Sequence, residues 1–269
     1  MAVGVASGKR WSRAELLIVL NLYHKLNFGQ MDHRNPAVMA LAGKLERTPG
    51  SVAMKLGNLA SLDPALQLRG IKGLQGASAL DRTVWQEFNT SPADVIPETE
   101  EALAVLFNAR STEEIEVLPR EGIRVGKTPP SGPTIVIANT KLRRGQSYFR
   151  NVVINNFGGR CGITELPIRE LLVASHILPW GGHESERLNV RNGLALSRLH
   201  DAAFDCGLIT FDEDLRLVLS LRLKRELPQR SVSESFGAYA GERLKYPDDA
   251  VLPDMSFLAE HRAVTFRRR

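Results

Sequence analysis

Cysteine is the scarcest chemical resource in this sequence. Only Cys161 and Cys206 occur among 269 residues, and neither belongs to a Cys-x-x-Cys pair. That excludes a disulfide framework and the usual four-ligand zinc spacings, so no structural zinc and no zinc-stabilised interaction module is expected. Two isolated thiols are expected as buried, inert side chains. No run of about 18 apolar residues is present, which excludes a transmembrane helix. Met1 to Arg10 lacks the apolar stretch of a secretory signal, so a cytoplasmic location is expected. Internal repeats and low-complexity tracts are also missing.

What is present is an ordinary globular composition, 43% hydrophobic and 24% charged, long enough for one large domain or two small ones. The net charge of +5 is unevenly spread. Residues 1–90 hold 11 basic and 6 acidic side chains, 91–139 hold 4 and 8, and 140–225 hold 13 and 9. Two basic blocks around an acidic one fit two nucleic-acid-facing domains joined by a solvated connector. A nucleic acid is the expected class of partner, and a membrane is not.

The proposed connector, 91–139, carries six of the 14 prolines and the acidic groups Glu98, Glu100, Glu101, Glu113, Glu114 and Glu116. It reads as a linker with one helical piece over Glu98 to Arg110, followed by the irregular stretch Lys127 to Pro133. Ahead of it, residues 1–90 read as helical. Ser12 and Glu15 form a capping box before the stripe Leu16, Leu17, Val19, Leu20, Tyr23 and Leu26. Asn35-Pro36 and Thr48-Pro49 start two further helices, separated by a tight turn at Arg47-Thr48. The layout is that of a helix-turn-helix. Ser51, Lys55 and Asn58 share one face of the second of these helices. With Arg47 they are candidates for DNA contact, because a cation and an amide can meet phosphate, guanine or adenine. The plain alternative is the solvated face of a three-helix bundle.

The chemically dense stretch runs from Leu171 to Phe211. Leu171 to Ser175 suits a short buried strand ending at His176, Leu194 to Leu196 a second strand, and Arg198 to Cys206 a helix stopped by Gly207. Leu208 to Phe211 and Leu215 to Leu221 suit a hairpin around Asp212 to Asp214. Here the chain resembles the HNH endonuclease family. The resemblance rests on Ala174-Ser-His-Ile177, Asn192-Gly-Leu194 and the run from His200 through Phe204-Asp205 to Gly207. It extends through Arg144-Gly-Gln146, Phe149-Arg150, Cys161 to Thr164 and His261-Arg262, covering roughly 140–266. Residues Arg47 to Asn58 resemble a domain that accompanies such nucleases in bacterial restriction and defence proteins.

The resemblance implies an α+β protein. An N-terminal all-α, helix-turn-helix-like domain (1–90) and a linker (91–139) precede a ββα-metal nuclease domain with a C-terminal extension (140–269). It implies a metal-dependent endonuclease of double-stranded DNA with His176 as general base, because an imidazole titrates near working pH. Asn192 would hold the loop and orient that histidine. His200 would ligate one divalent ion, Mg²⁺ first, with Mn²⁺, Ni²⁺ or Zn²⁺ as substitutes. In many family members the residue before the base is a metal ligand, but here it is Ser175. Leu196, four residues before His200, is no ligand either. The second protein ligand stays open. Asp205 is the first candidate, and its alternative role is to organise the turn at Gly207. His183 reads as a surface or substrate-contact histidine. Arg143, Arg144, Arg150, Arg187, Arg191 and Arg198 would contact phosphates or else be ordinary solvated charge. Cutting both strands with one site per chain favours a homodimer. The competing reading is a DNA-binding regulator with a degenerate HNH unit.

Overall fold

The computed structural model describes residues 9–110, 113–127 and 140–266, and the chain divides into two compact units, 1–151 and 152–269. The boundary between them falls inside one helix. Among the described residues no helix is long and apolar enough to cross a membrane.

The first unit opens with α1 (Arg13–His24), α2 (Pro36–Lys44) and α3 (Pro49–Ala60). Each starts where its capping chemistry dictates. Ser12 and Glu15 close a reciprocal capping box, Asn35 accepts from the Ala37 amide, and Thr48 accepts from the Ser51 amide. Pro36 and Pro49 sit in the first turn, where no N–H is needed. There follow α4 (Pro64–Leu68), α5 (Ala79–Thr90), α6 (Pro92–Leu106) and the antiparallel hairpin β1 (Glu113–Leu118) with β2 (Gly122–Lys127). Leu16, Leu20, Leu41, Leu56, Leu59 and Leu103 form a fully buried centre.

Where the sequence reading puts a linker, the chain is therefore structured. Helix α6 packs on α1 and α5, and the hairpin packs on α2 and α6. Pro92 at the helix start costs nothing, and Pro97 removes only one early N–H, while Ile96, Leu103 and Ala104 are buried. The hairpin was hidden by its acidic residues, although Ile115, Glu116 and Val117 alternate with the period of a strand. The irregular stretch expected up to Pro133 lies, from residue 128 on, outside the described residues.

The larger correction concerns α3. Its face with Lys55 and Asn58 is turned inward: Lys55 Nζ donates to both carboxylate oxygens of Asp81 at 2.9 and 2.8 Å, and Asn58 donates to the Gly76 carbonyl. Arg47, at the turn before the helix, stacks over Trp11 and binds Glu15 and two backbone carbonyls. Of the four expected DNA contacts, only Ser51 keeps partial exposure. The sequence pattern missed this because the neighbouring α5 supplies a carboxylate from 26 residues away. A second internal ion pair, Lys25 with Glu100, is fully buried, with Asn21 and Thr99 beside it. Arg144, expected on phosphate, is buried and paired with Glu101 at 3.0 Å. Arg143 is exposed.

The second unit contains the end of α7 (Thr140–Asn156), then β3 (Leu172–His176), β4 (Gly193–Ser197), α8 (Arg198–Asp205), the hairpin β5 (Ile209–Phe211) with β6 (Leu217–Leu219), α9 (Leu221–Arg225), α10 (Arg230–Ser235) and α11 (Met255–Val264). Strands β3 and β4 pair antiparallel, with His176 opposite Gly193 and Leu172 opposite Ser197, and α8 packs on both. This is the strand, loop, strand, helix order expected from the sequence. Cys161 is buried and accepts the Ser197 amide at 3.3 Å, whereas Cys206 is exposed, contrary to expectation.

Two outcomes follow for the first unit. Lys55→Ala leaves the wholly buried Asp81 carboxylate with its Ser78 hydrogen bonds but no counter-charge, and should destabilise the unit by roughly 3–5 kcal/mol in urea unfolding. A solvated DNA-reading lysine would shift stability by no more than about 0.5 kcal/mol. The His24 ring is half-buried, with its Nε2 enclosed and its face stacked on Phe88 at 4.2 Å, and this burial lowers its pKa to about 4. In the unfolded chain it titrates near 6.5, so the unfolded state binds the extra proton between those values. Stability should fall by up to about 3 kcal/mol as pH drops from about 6.5 to about 4. The thermal midpoint of His24→Phe should lose that part of its pH dependence.

Candidate active site

The strand register puts His176 at the last pair of β3, where the chain leaves the sheet for the long connection to β4. Its Nε2 lies 3.0 Å from the Arg187 carbonyl oxygen. A carbonyl only accepts, so Nε2 carries the proton and Nδ1 carries the lone pair. Burial lowers the His176 pKa, against the opposing effect of the Arg187 carbonyl, which keeps the ring neutral at pH 7. Trp180 meets the imidazole edge to face at 5.2 Å. The Arg187 guanidinium lies over the Trp180 ring, and its Nε donates to the Trp180 carbonyl.

Asn192 holds the connection that supplies these groups. Its Oδ1 accepts the Leu178 amide at 2.7 Å, and its Nδ2 donates to the Glu186 carbonyl at 3.1 Å and the Leu178 carbonyl at 3.4 Å. The side chain is buried, and the Leu178 amide would otherwise lack a partner, whereas the Glu186 carbonyl also accepts the Asn189 amide at 3.2 Å. The hydrogen bonds of the Asn192 side chain go to the loop backbone and not to the imidazole of His176. The side chain acts on the backbone at Leu178 and Glu186, on either side of the Trp180 turn and next to the carbonyl that holds the ring.

His176 opens onto a cleft of about 410 Å³, with Ser175, Trp180, Asp201, Asp205 and His261 among its walls. Ser197 caps α8 by accepting the His200 amide. Asp201 and Asp205 stand four residues apart and so share a helix face. That face looks into the cleft. Burial raises the Asp201 pKa, and Ser175 and Arg198 pull it down. Asp205 rises to about 6 through burial and the nearby Asp201 charge. Ser175 Oγ is buried, close enough to Asp201 to favour its charged form, but makes no hydrogen bond of good geometry.

His200 is the main correction to the expected site. It is not part of the cleft. Its Nε2 donates to the Ser235 carbonyl at 2.9 Å, its Nδ1 accepts from Ser197 Oγ at 2.7 Å, and its ring abuts Phe236. Both nitrogens are thus engaged in the interior. The structure brings His176 together with Asp205 and with Asp201, which the sequence reading missed. It does not bring His176 together with His200. The available signal was the four-residue spacing of Asp201 and Asp205. His261, in the sequence only part of the tail of the resemblance, lines the cleft. It stacks on Phe204 at 3.8 Å, with Thr210 and the Phe204 carbonyl on its two nitrogens. Gly207 follows α8 at φ +67°, and a Cβ there would lie 2.0 Å from the Thr265 oxygen, so the turn accepts only glycine. Arg198 is exposed at the start of α8. Arg191 pairs with Asp254, and His183 with Glu260.

Residues 161–212 match the model of a family described as HNH endonuclease. The match takes in β3, Asn192, β4, α8 and β5, and is narrower than the 140–266 of the sequence reading. No curated protein matches the chain.

The Asn192 reading has a direct test. Asn192→Ala orphans the buried Leu178 amide, costing about 1–3 kcal/mol, while the Glu186 carbonyl keeps the Asn189 amide. Hydrogen exchange should show the Leu178 amide losing protection well before β4 does. Asn192→Asp, which keeps an acceptor for that amide, should restore part of it.

Proposed function

From the premise that residues 161–212 belong to the HNH endonuclease family, we propose that this protein is a metal-dependent DNA endonuclease and that His176 is its general base. The observation that carries the reading is the cleft itself, where a neutral imidazole with a lone pair on Nδ1 shares a wall with two carboxylates. Nδ1 takes the proton of an attacking water, while the Nε2–H bond to Arg187 fixes the ring plane. Trp180 shields one side of the imidazole and restricts bulk water. Asn192 keeps the carbonyl and the tryptophan in register.

The metal implied by the family can be compared with the side chains present. Among the described residues no group of three or more His, Cys, Asp or Glu side chains is placed to hold a metal ion. The expected pairing of His200 with Asp205 does not fit, because both His200 nitrogens are engaged elsewhere. Asp201 and Asp205 do fit. A hard cation such as Mg²⁺ is commonly held by one or two carboxylates, with water and phosphate completing its shell. These two would hold it, and Ser175 Oγ adds a buried oxygen beside them. Bound there, the ion would neutralise charge on the phosphate. The restriction or defence role rests on the resemblance of Arg47 to Asn58 alone. It calls for comparing plain DNA with DNA carrying methylated or hydroxymethylated cytosine.

Supercoiled plasmid should be nicked or linearised with Mg²⁺, Mn²⁺ or Ni²⁺ and left intact with EDTA. His176→Ala should slow cleavage by roughly 10²–10⁴-fold. Asp201→Asn with Asp205→Asn should also lose Mn²⁺ binding by calorimetry. Gel-shift binding with no cutting in any metal would instead support a DNA-binding regulator with an inactive HNH unit.

A further inference from the structure

With Arg47, Lys55 and Asn58 committed to the interior, the first unit needs another surface if it is to meet DNA. One such surface stands out. An open cleft of about 460 Å³ is bounded by Ser61 and Leu62 after α3, Gln67 of α4, Lys72 and Gln75 of the following loop, and Arg82 of α5. Among the described residues no carboxylate lines it. Among the described residues, Lys72 and Arg82 have neither an ion pair nor a hydrogen bond from their side chains, and both are exposed. Other cations of this unit differ: exposed Arg13 is held by Glu87 and Glu98, and buried Arg47 and Lys55 by Glu15 and Asp81.

The cleft is built, not incidental. Gly73 sits at φ +60°, and a Cβ there would lie 2.4 Å from the Ser61 nitrogen and 2.8 Å from the Gly57 oxygen. Only glycine lets the loop approach the end of α3 this closely. The Leu74 amide then donates to the Gly57 carbonyl at 2.9 Å, and Asn58 donates to the Gly76 carbonyl. Lys72 and Gln75 are presented from a loop pinned on both sides. Asn58, expected to read a base, pins the loop instead. Gln67 donates to the Ser61 carbonyl, which ties the opposite wall together.

We infer that this cleft seats the phosphate backbone of duplex DNA, with Lys72 and Arg82 as its two cations. This rests on the endonuclease reading above. Two point charges and two amides without a carboxylate favour an anionic, acceptor-rich partner. The contact is to backbone, so it positions DNA without selecting sequence.

The test uses the full chain in EDTA, where cleavage is off, with fluorescence anisotropy on a short DNA duplex across a salt series. Lys72→Gln with Arg82→Gln should weaken binding on the order of tenfold, equally for unrelated sequences, and reduce the salt slope by about 2. The control Arg34→Gln with Arg110→Gln removes the same charge from exposed residues paired with Asp32 and Glu113, and should keep the slope. Unchanged thermal midpoints confirm folding of both doubles. An unaltered slope in the first double overturns the cleft. So does an equal loss in both doubles, tighter binding to single-stranded RNA than to duplex, or no duplex binding by the wild-type chain. Plasmid cleavage in metal is scored separately, so the cleft can fail while the nuclease reading stands.

Discussion

The buried carboxamide of Asn192 is the constraint on which the proposed chemistry depends. Two strands joined by a long connection leave many backbone groups without ladder partners, and an enclosed backbone group without a partner is costly. Asn192 supplies both an acceptor and a donor, to Leu178 and Glu186. A carboxamide does both from one side chain, with its acceptor oxygen and donor nitrogen on separate atoms. With the connection pinned, the Arg187 carbonyl lies within reach of His176 Nε2 and decides which imidazole nitrogen carries the lone pair.

The second organising fact is angular. Successive helical residues are rotated by about 100°, so His200 and Asp201 cannot serve the same cleft. Once β4 delivers Ser197 as the cap of α8, His200 goes inward to Ser235 and Asp201 goes to the cleft. Asp205 follows one turn later on the same face. The partial burial that raises both carboxyl groups, and the Asp201 charge that adds to it at Asp205, are the conditions under which a cation becomes a favourable neighbour.

In the first unit, charge is used differently. Lys25, Lys55 and Arg47 are enclosed with carboxylates or carbonyls, where a lost partner is expensive and an intact pair fixes one arrangement of helices. A basic composition thus overstates the positive surface. Lys72 and Arg82 keep theirs because the loop between α4 and α5 is held by backbone contacts and by Asn58, with no carboxylate at the cleft.

Local signals in the sequence were enough for the start of α1, α2 and α3, since a cap and a proline act within four residues. They were also enough for the order of β3, β4 and α8 and for His176 at the strand end, because apolar runs, turn residues and the family motif are local. The tertiary structure decided what depends on residues far apart in the chain. It showed that α6 and the β1–β2 hairpin pack within the first unit, where proline and glutamate content suggested a linker. It matched Lys55 with Asp81 and Arg144 with Glu101, pairings that no periodicity encodes. It also sent His200 to the carbonyl of Ser235, 35 residues on, leaving Asp201 and Asp205 for the cleft. A helix face is polar in sequence whether it meets water or a buried partner, and only the packed neighbour tells the two apart.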